Sequence, residues 1–320
     1  MRYAMLLVLT LFGASLCFGA EVYPSKAVRV IVAFGPSGTT DLTARLISQQ
    51  LSEQFGKSFV VDNRPGASGA IGAGIVAKSA PDGYTLLMIE PNFSSLPGLN
   101  KSLPFDVVKD FTPITQIGRI PYVLVAHPSL NAPTLKDFIA LARANPGKFN
   151  YGSTGVGSSL HLGTELFKTE TKVNIVHIPY KGGGEVITAM LAGEVQMRIA
   201  PISTVLTYVN SGKVRALAVA TEGKRVPSMP DVPSMSEAGV PGMAIYHWTG
   251  LIGPAGMRRN VVSKLHDEVV KATTVPSVKE WFIAQSGELV GSSPEEFSKY
   301  IRNEMRRWAE VIKSVGITTE

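Results

Sequence analysis

Two short runs of small and hydroxylated residues could do chemistry in this chain, and each links a strand-like stretch to a helix-like one. The first is Phe34, Gly35, Pro36, Ser37, Gly38, Thr39 and Thr40; it closes the β-branched run VRVIVAF and leads into Asp41 to Phe55, where apolar residues recur mostly every four or five positions. The second is Ser153, Thr154, Gly155, Val156, Gly157 and Ser158, which follows the strand NYGS and precedes a helix holding His161, Leu162 and Leu166. A helix start leaves backbone N–H groups without intrahelical partners and carries a partial positive charge, so it favours an anion. Glycines let an anion approach the backbone, and the hydroxyls add donors. Neither run contains Lys or Arg, so the predicted chemistry is capture of a carboxylate by neutral donors. An exposed dipole contact contributes only about 0.3 to 1 kcal/mol. Two such seats must therefore act together, strengthened by exclusion of water.

Several neighbours read two ways. Asp41 is either an N-cap for the helix that it opens or a contact to a ligand amine or hydroxyl. His161 is either a packed histidine or a site residue. Tyr180 and Lys181, ahead of Gly182, Gly183 and Gly184, form either a second wall or a plain turn. His247 and Trp248 suit an apolar lid or the core. Ser153 or Ser158 with His161 is the one arrangement resembling a hydrolase, and no third group is evident to orient the imidazole. The glycines at 66, 69, 72 and 74 lack the dinucleotide-loop spacing, and no nucleophile elbow, phosphate loop or H-E-x-x-H helix appears. No cofactor and no metal are expected, since the five histidines are scattered.

The elements that must position these runs alternate strand, helix, strand at the spacing of a parallel sheet covered by helices. Strands are predicted at Val28 to Phe34, Ser58 to Asn63, Tyr84 to Ile89, Tyr122 to Ala126, Asn150 to Ser153 and from Asn174, Met197, Val214 and Tyr246. The glycine-rich run Arg64 to Gly74 reads as a turn and Val226 to Pro241 as a long surface excursion. Two open α/β units follow, with a cleft between them; ligands in such sheets lie beyond the carboxyl ends of the strands. The predicted organisation is 1–20 a signal peptide, 21–122 with 250–320 one domain, and 123–249 the other.

The opening residues carry one cation, Arg2, then an apolar stretch ending in Gly19 and Ala20, the build of a cleaved export signal. Spanning a membrane takes about 20 apolar residues, more than this stretch supplies. Its Cys17 is the only cysteine, so the mature chain has no disulfide, thiol nucleophile or thiolate metal site. Losing Arg2 takes the formal charge from +6 to +5, spread without a basic block, which argues against a nucleic-acid partner.

The chain also resembles the Bug-type receptors, the extracytoplasmic solute-binding subunits of tripartite tricarboxylate transporters. The resemblance rests on VRVIVAFGPSGTTD (Val28 to Asp41), VDNRPGASGAIGA and APDGYTLL, YGSTGVGSSLHL (Tyr151 to Leu162), VHIPYKGGG (Val176 to Gly184), GKVRALAVAT, MPDVPSMSEAGVPG and the closing SPEEFSKYIRNEMRRWAEVIKSVGI. It implies a bilobal α/β fold of the periplasmic-binding-protein type (type II), without enzymatic activity. In it Phe34 to Asp41 and Ser153 to Ser158 grip a ligand carboxylate, and the rest of the pocket selects the molecule. It implies a periplasmic location and delivery to the transporter's membrane carrier subunits, or signalling through a sensor protein; a monomer suits such a clamp. One departure stands out. The family's first turn has a glycine where this chain has Ser37, which either restricts the turn or adds a hydroxyl.

Overall fold

The computed structural model describes residues 23–317, so the expected export signal lies outside the described residues. Four β-branched residues, interrupted only by Arg29, make β1 (Val28–Val32), which is buried on both faces apart from that arginine. It pairs in parallel with β2 (Phe59–Asn63) and β3 (Thr85–Ile89). The crossovers carry α1 (Thr39–Phe55) and α2 (Ala70–Ala77), the latter preceded by a 3₁₀ turn at Ala67–Gly69; α3 (Pro91–Leu99) follows β3. Helix α2 starts inside the run that reads as a turn from sequence. The glycines there serve packing as well as turning: a Cβ on Gly72 would lie 2.8 Å from the Ala33 side chain and 2.9 Å from its Cα, so the helix rests directly on the strand backbone.

The long strand β4 (Phe111–Ala126) then joins two sheet sections. Through Pro121 it pairs antiparallel with β9 (Tyr246–Pro254), and from Tyr122 onward it pairs with β7 (Met197–Pro201) and, in part, with β8 (Arg215–Val219). Between these strands the chain forms α4 (Leu135–Ala144), β5 (Asn150–Ser153), α5 (Ser159–Thr171), β6 (Val176–Pro179), α6 (Gly183–Leu191) and α7 (Ile202–Asn210), with β5 parallel to both β6 and β7. After β9 come α8 (Arg259–Thr273), α9 (Pro276–Ala284), the short β10 (Glu288–Leu289) paired to β4, and α10 (Pro294–Val315). The strand order is β2-β1-β3-β9-β4-β7-β5-β6. The sheet is thus mixed rather than wholly parallel, because β4 and β9 run against their neighbours.

One open alternative is decided here and two expectations change. Trp248 is fully buried, with its ring edge-on to Phe297 and Tyr300 at 5.9 and 5.5 Å, so it is core and not a lid. The proline-rich stretch 226–241 is not a surface excursion: Val226, Met229, Met235 and Val240 are buried, and Val219 bonds both Pro233 O and Met235 N. The first eleven residues of β4 read poorly from sequence because Pro113, Gly118 and Pro121 interrupt them. Gly118 is required there, since a Cβ would meet the Phe282 ring at 2.5 Å and Glu288 O at 2.7 Å.

Candidate functional site

The first run closes on itself through Asp41. The N-cap of α1 is Gly38, which places Asp41 third in the helix, so the N-cap reading does not hold. Its carboxylate instead accepts from Ser37 N–H at 3.0 Å, Asn63 Nδ2 at 2.8 Å and Arg45 Nε at 3.0 Å. Burial alone would raise the Asp41 pKa, but the hydrogen bonds from Arg45, Asn63 and Ser37 outweigh it and hold the carboxyl below its ordinary range. Asn63 also donates to Phe34 O at 3.0 Å, tying the end of β2 to the turn. Ser37 sits at φ +67°, the left-handed region that favours glycine. Its hydroxyl is exposed with Gly35 and Pro36 at the lip, while Phe34 and Gly38 are half-buried and Thr39 is buried. The N–H groups of Gly38, Thr39 and Thr40 donate to no protein acceptor among the described residues.

The second run is held more tightly. Ser153 Oγ lies 2.6 Å from His177 Nε2, donates to Gly155 O at 3.0 Å and accepts from Gly155 N at 3.2 Å. His161 Nδ1 accepts from Gly157 N–H at 3.0 Å, which puts the imidazole proton on Nε2. Its ring stacks on His177, centroids 3.9 Å apart, and His177 stacks on Tyr151 at 4.9 Å. Burial lowers both histidine pKa values, that of His177 to about 4, and each imidazole would repel a proton on the other. Ser158 is the N-cap of α5: its Oγ accepts from His161 N–H at 3.2 Å. Ser159 N–H is taken by Asn92 Oδ1 at 2.6 Å. The start of α5 is therefore filled largely by the protein itself, and the amides of this segment that donate to no protein acceptor among the described residues are those of Thr154, Val156 and Leu160. Neither Ser153 nor Ser158 meets the His161 imidazole. Tyr180 N–H donates to Ser153 O at 3.0 Å, which brings Tyr180 beside the turn; Lys181 is exposed, with its N–H on Glu185.

Contacts that sequence reasoning missed tie each run to an element distant from it in the chain. Thr39 Oγ1 is 2.8 Å from Ser203 Oγ in the first turn of α7, and Ser68 Oγ donates to Val156 O at 3.4 Å. Thr40 donates to the buried Glu90 and lies 3.1 Å from His247 Nε2. Burial pushes the Glu90 carboxyl up to about 7 and His247 down to about 3. Glu90 also lines a small, partly open pocket with Phe34, Ala33, Ser68, Gly69 and Met88. No local signal marks Ser203 or Glu90, because their roles depend on partners 164 and 50 residues away.

Residues 43–317 match the family TctC, described as the tripartite tricarboxylate transporter family receptor. The protein BugT of Bordetella pertussis is 35% identical over 306 residues, covering 95% of this chain and 94% of its own. A solved structure described as a periplasmic transporter is 38% identical with a TM-score of 0.88, covering 93% of this chain and all of the other. The structure of MatC from Rhodopseudomonas palustris, with bound malate, is 29% identical with a TM-score of 0.85, covering 91% and 100%. The fold is the bilobal α/β fold of periplasmic binding proteins.

Proposed function

Since this chain belongs to the tripartite tricarboxylate transporter receptor family, we propose that it captures a small carboxylate between its lobes outside the cytoplasmic membrane and presents it to a membrane carrier. The observation that carries this reading is that each run reaches across to the opposite lobe, Thr39 to Ser203 of α7 and Val156 to Ser68 beside α2. Gly38, Thr39 and Thr40 offer amides at the positive end of α1, and Thr154 and Val156 offer them from the facing loop. In a space shut off from water such donors act more strongly than on a surface. The hinge is read at Pro121–Tyr122 and Ile245–Tyr246, where β4 changes partner and Tyr122 N–H reaches Ile245 O. Asp41, His161 and Ser158 act as positioning residues that hold amides in place, while Phe34 and Tyr180 wall the pocket. A relative solved with malate supports an organic acid as the solute.

A thermal-shift screen of mono-, di- and tricarboxylates, amino acids and aromatic acids tests the reading. Ligand at 100 times its Kd adds about 2.7 kcal/mol to stability. Gly38→Trp and Thr154→Trp are expected to abolish the shift from the best acid. Intact binding in both variants, or conversion of the acid on incubation, would sink the proposal.

A further inference from the structure

Arg198 is the largest charged side chain in the core, 1% exposed as the second residue of β7, opposite Val125 of β4. The only hydrogen bond of its side chain among the described residues is a long one, Nη1 to Gly183 O at 3.4 Å; Nε meets no acceptor. No carboxylate offsets its charge, and burial lowers its pKa to about 10. Breaking a buried ion pair by removing one partner is strongly destabilising, so a guanidinium left this way calls for an anion.

Its surroundings deepen the problem. Gly183 opens α6, a nine-residue helix whose N-cap, Gly182, provides no side-chain cap. The N–H groups of Gly182, Gly183 and Gly184 donate to nothing among the described residues, and a Cβ on any of the three would meet open space. A cation thus lies under the positive end of a helix dipole, an arrangement that is unfavourable until negative charge sits at that end. An arginine fork and free helix-start amides together match a carboxylate.

The geometry points to a second anion seat, formed by Arg198 and the start of α6, that takes the far carboxylate of an aliphatic dicarboxylate. The inference rests on the carboxylate-receptor reading and specifies its ligand as a diacid. The near carboxylate lies at the two facing runs, and Tyr180, which bonds Ser153, is three residues from Gly183. Three residues span at most about 11 Å, so a short flexible chain bridges the seats. The bland alternative, an arginine kept for packing alone, predicts no preference between one carboxylate and two.

The test is calorimetric titration of wild type, Arg198→Met and Arg198→Lys with succinate, glutarate and adipate, each beside its monoacid (butyrate, pentanoate, hexanoate). Wild type is expected to prefer at least one diacid. Arg198→Met is expected to weaken that diacid about 30-fold more than its monoacid, as loss of one partner of a buried charge pair does. Circular dichroism and urea midpoints check folding; if the methionine variant does not fold, Arg198→Lys, which keeps the charge and loses the fork, is expected to weaken the same diacid about 10-fold. Wild type binding each diacid no better than its monoacid overturns the inference, as does a folded variant with unchanged preference. Protection of wild type by phosphate or chloride, without diacid preference, overturns it in favour of a resident inorganic ion. Failure of wild type to bind any carboxylate, here or in the wider screen, removes the receptor reading itself.

Discussion

Replacing Glu90 by Gln should make the protein more stable at pH 8 and leave it nearly unchanged near pH 4.5. Glu90 is largely buried, accepts from the Thr40 hydroxyl and has His247 Nε2 3.9 Å away, and burial raises its carboxyl from 4.5 to about 7. A raised carboxyl pKa means that the folded state holds the proton longer than the unfolded chain does. Stability then falls as pH rises from 4.5 to about 7 and is level beyond. The interval is about 2.5 pH units, or about 3 kcal/mol at 1.36 kcal/mol per unit. His247, lowered from 6.5 to about 3, has the opposite sign: the folded state resists its protonation, so stability is lost as pH falls below 6.5. That contribution is common to wild type and Glu90→Gln and largely cancels in their difference. Glutamine keeps the shape and an acceptor for Thr40, which isolates the charge. Urea unfolding of both proteins at pH 4.5, 6, 7 and 8 reads the gap. A gap that stays constant across that range would refute the reasoning, because it would place the ionised carboxylate at no disadvantage in the fold.

Ser37→Gly is expected to stabilise by about 0.5 to 1 kcal/mol, the left-handed strain at φ +67° less the added freedom of glycine in the unfolded chain; a urea midpoint that does not rise argues against strain. Asp41→Asn should destabilise by about 2 kcal/mol near neutral pH, because it replaces a carboxylate that accepts three hydrogen bonds. Since the Asp41 pKa is depressed, the wild-type advantage is present above 3.8 and lost as pH falls toward the folded value, so unfolding curves of the two proteins should converge in acid. Thr39→Val removes the bond to Ser203 and is expected to shift the unliganded chain toward opening by about 1 kcal/mol, roughly fivefold in the open-to-closed ratio. A radius of gyration in solution and a ligand dissociation rate both equal to wild type would show that the bond contributes nothing to closure.

Much of the framework was legible because local pattern and tertiary demand agree. Strand β5 and helix α10 lie where NYGS and the run from Pro294 to Val315 place them, the second marked by Ser293, which caps it with Glu296 in a reciprocal box. Elements failed to show where tertiary packing overrides local preference. Helix α3 contains Pro97 and two glycines or prolines besides, yet nearly all of it is buried against α10 and α5. The first part of β4 survives Pro113 and Pro121 because β9 and β10 flank it, and its Gly118 is required by the Phe282 ring. Those demands come from residues far away along the chain, and no short window contains them.

The site divides along the same line. Both turns are visible because a strand meeting a helix through glycine has a local signature, but which of their amides stay open does not. In the first, Asp41 takes only Ser37 N–H and leaves Gly38, Thr39 and Thr40 available. In the second, Ser158, His161 and the distant Asn92 consume three amides, so two similar sequences offer different numbers of donors. On the proposed reading the lobes are therefore unequal partners in holding an anion: the first supplies an open helix start, and the second makes up the difference elsewhere. Arg198 and the uncapped start of α6 lie in that second lobe, which is where a shortage of positive potential would otherwise fall.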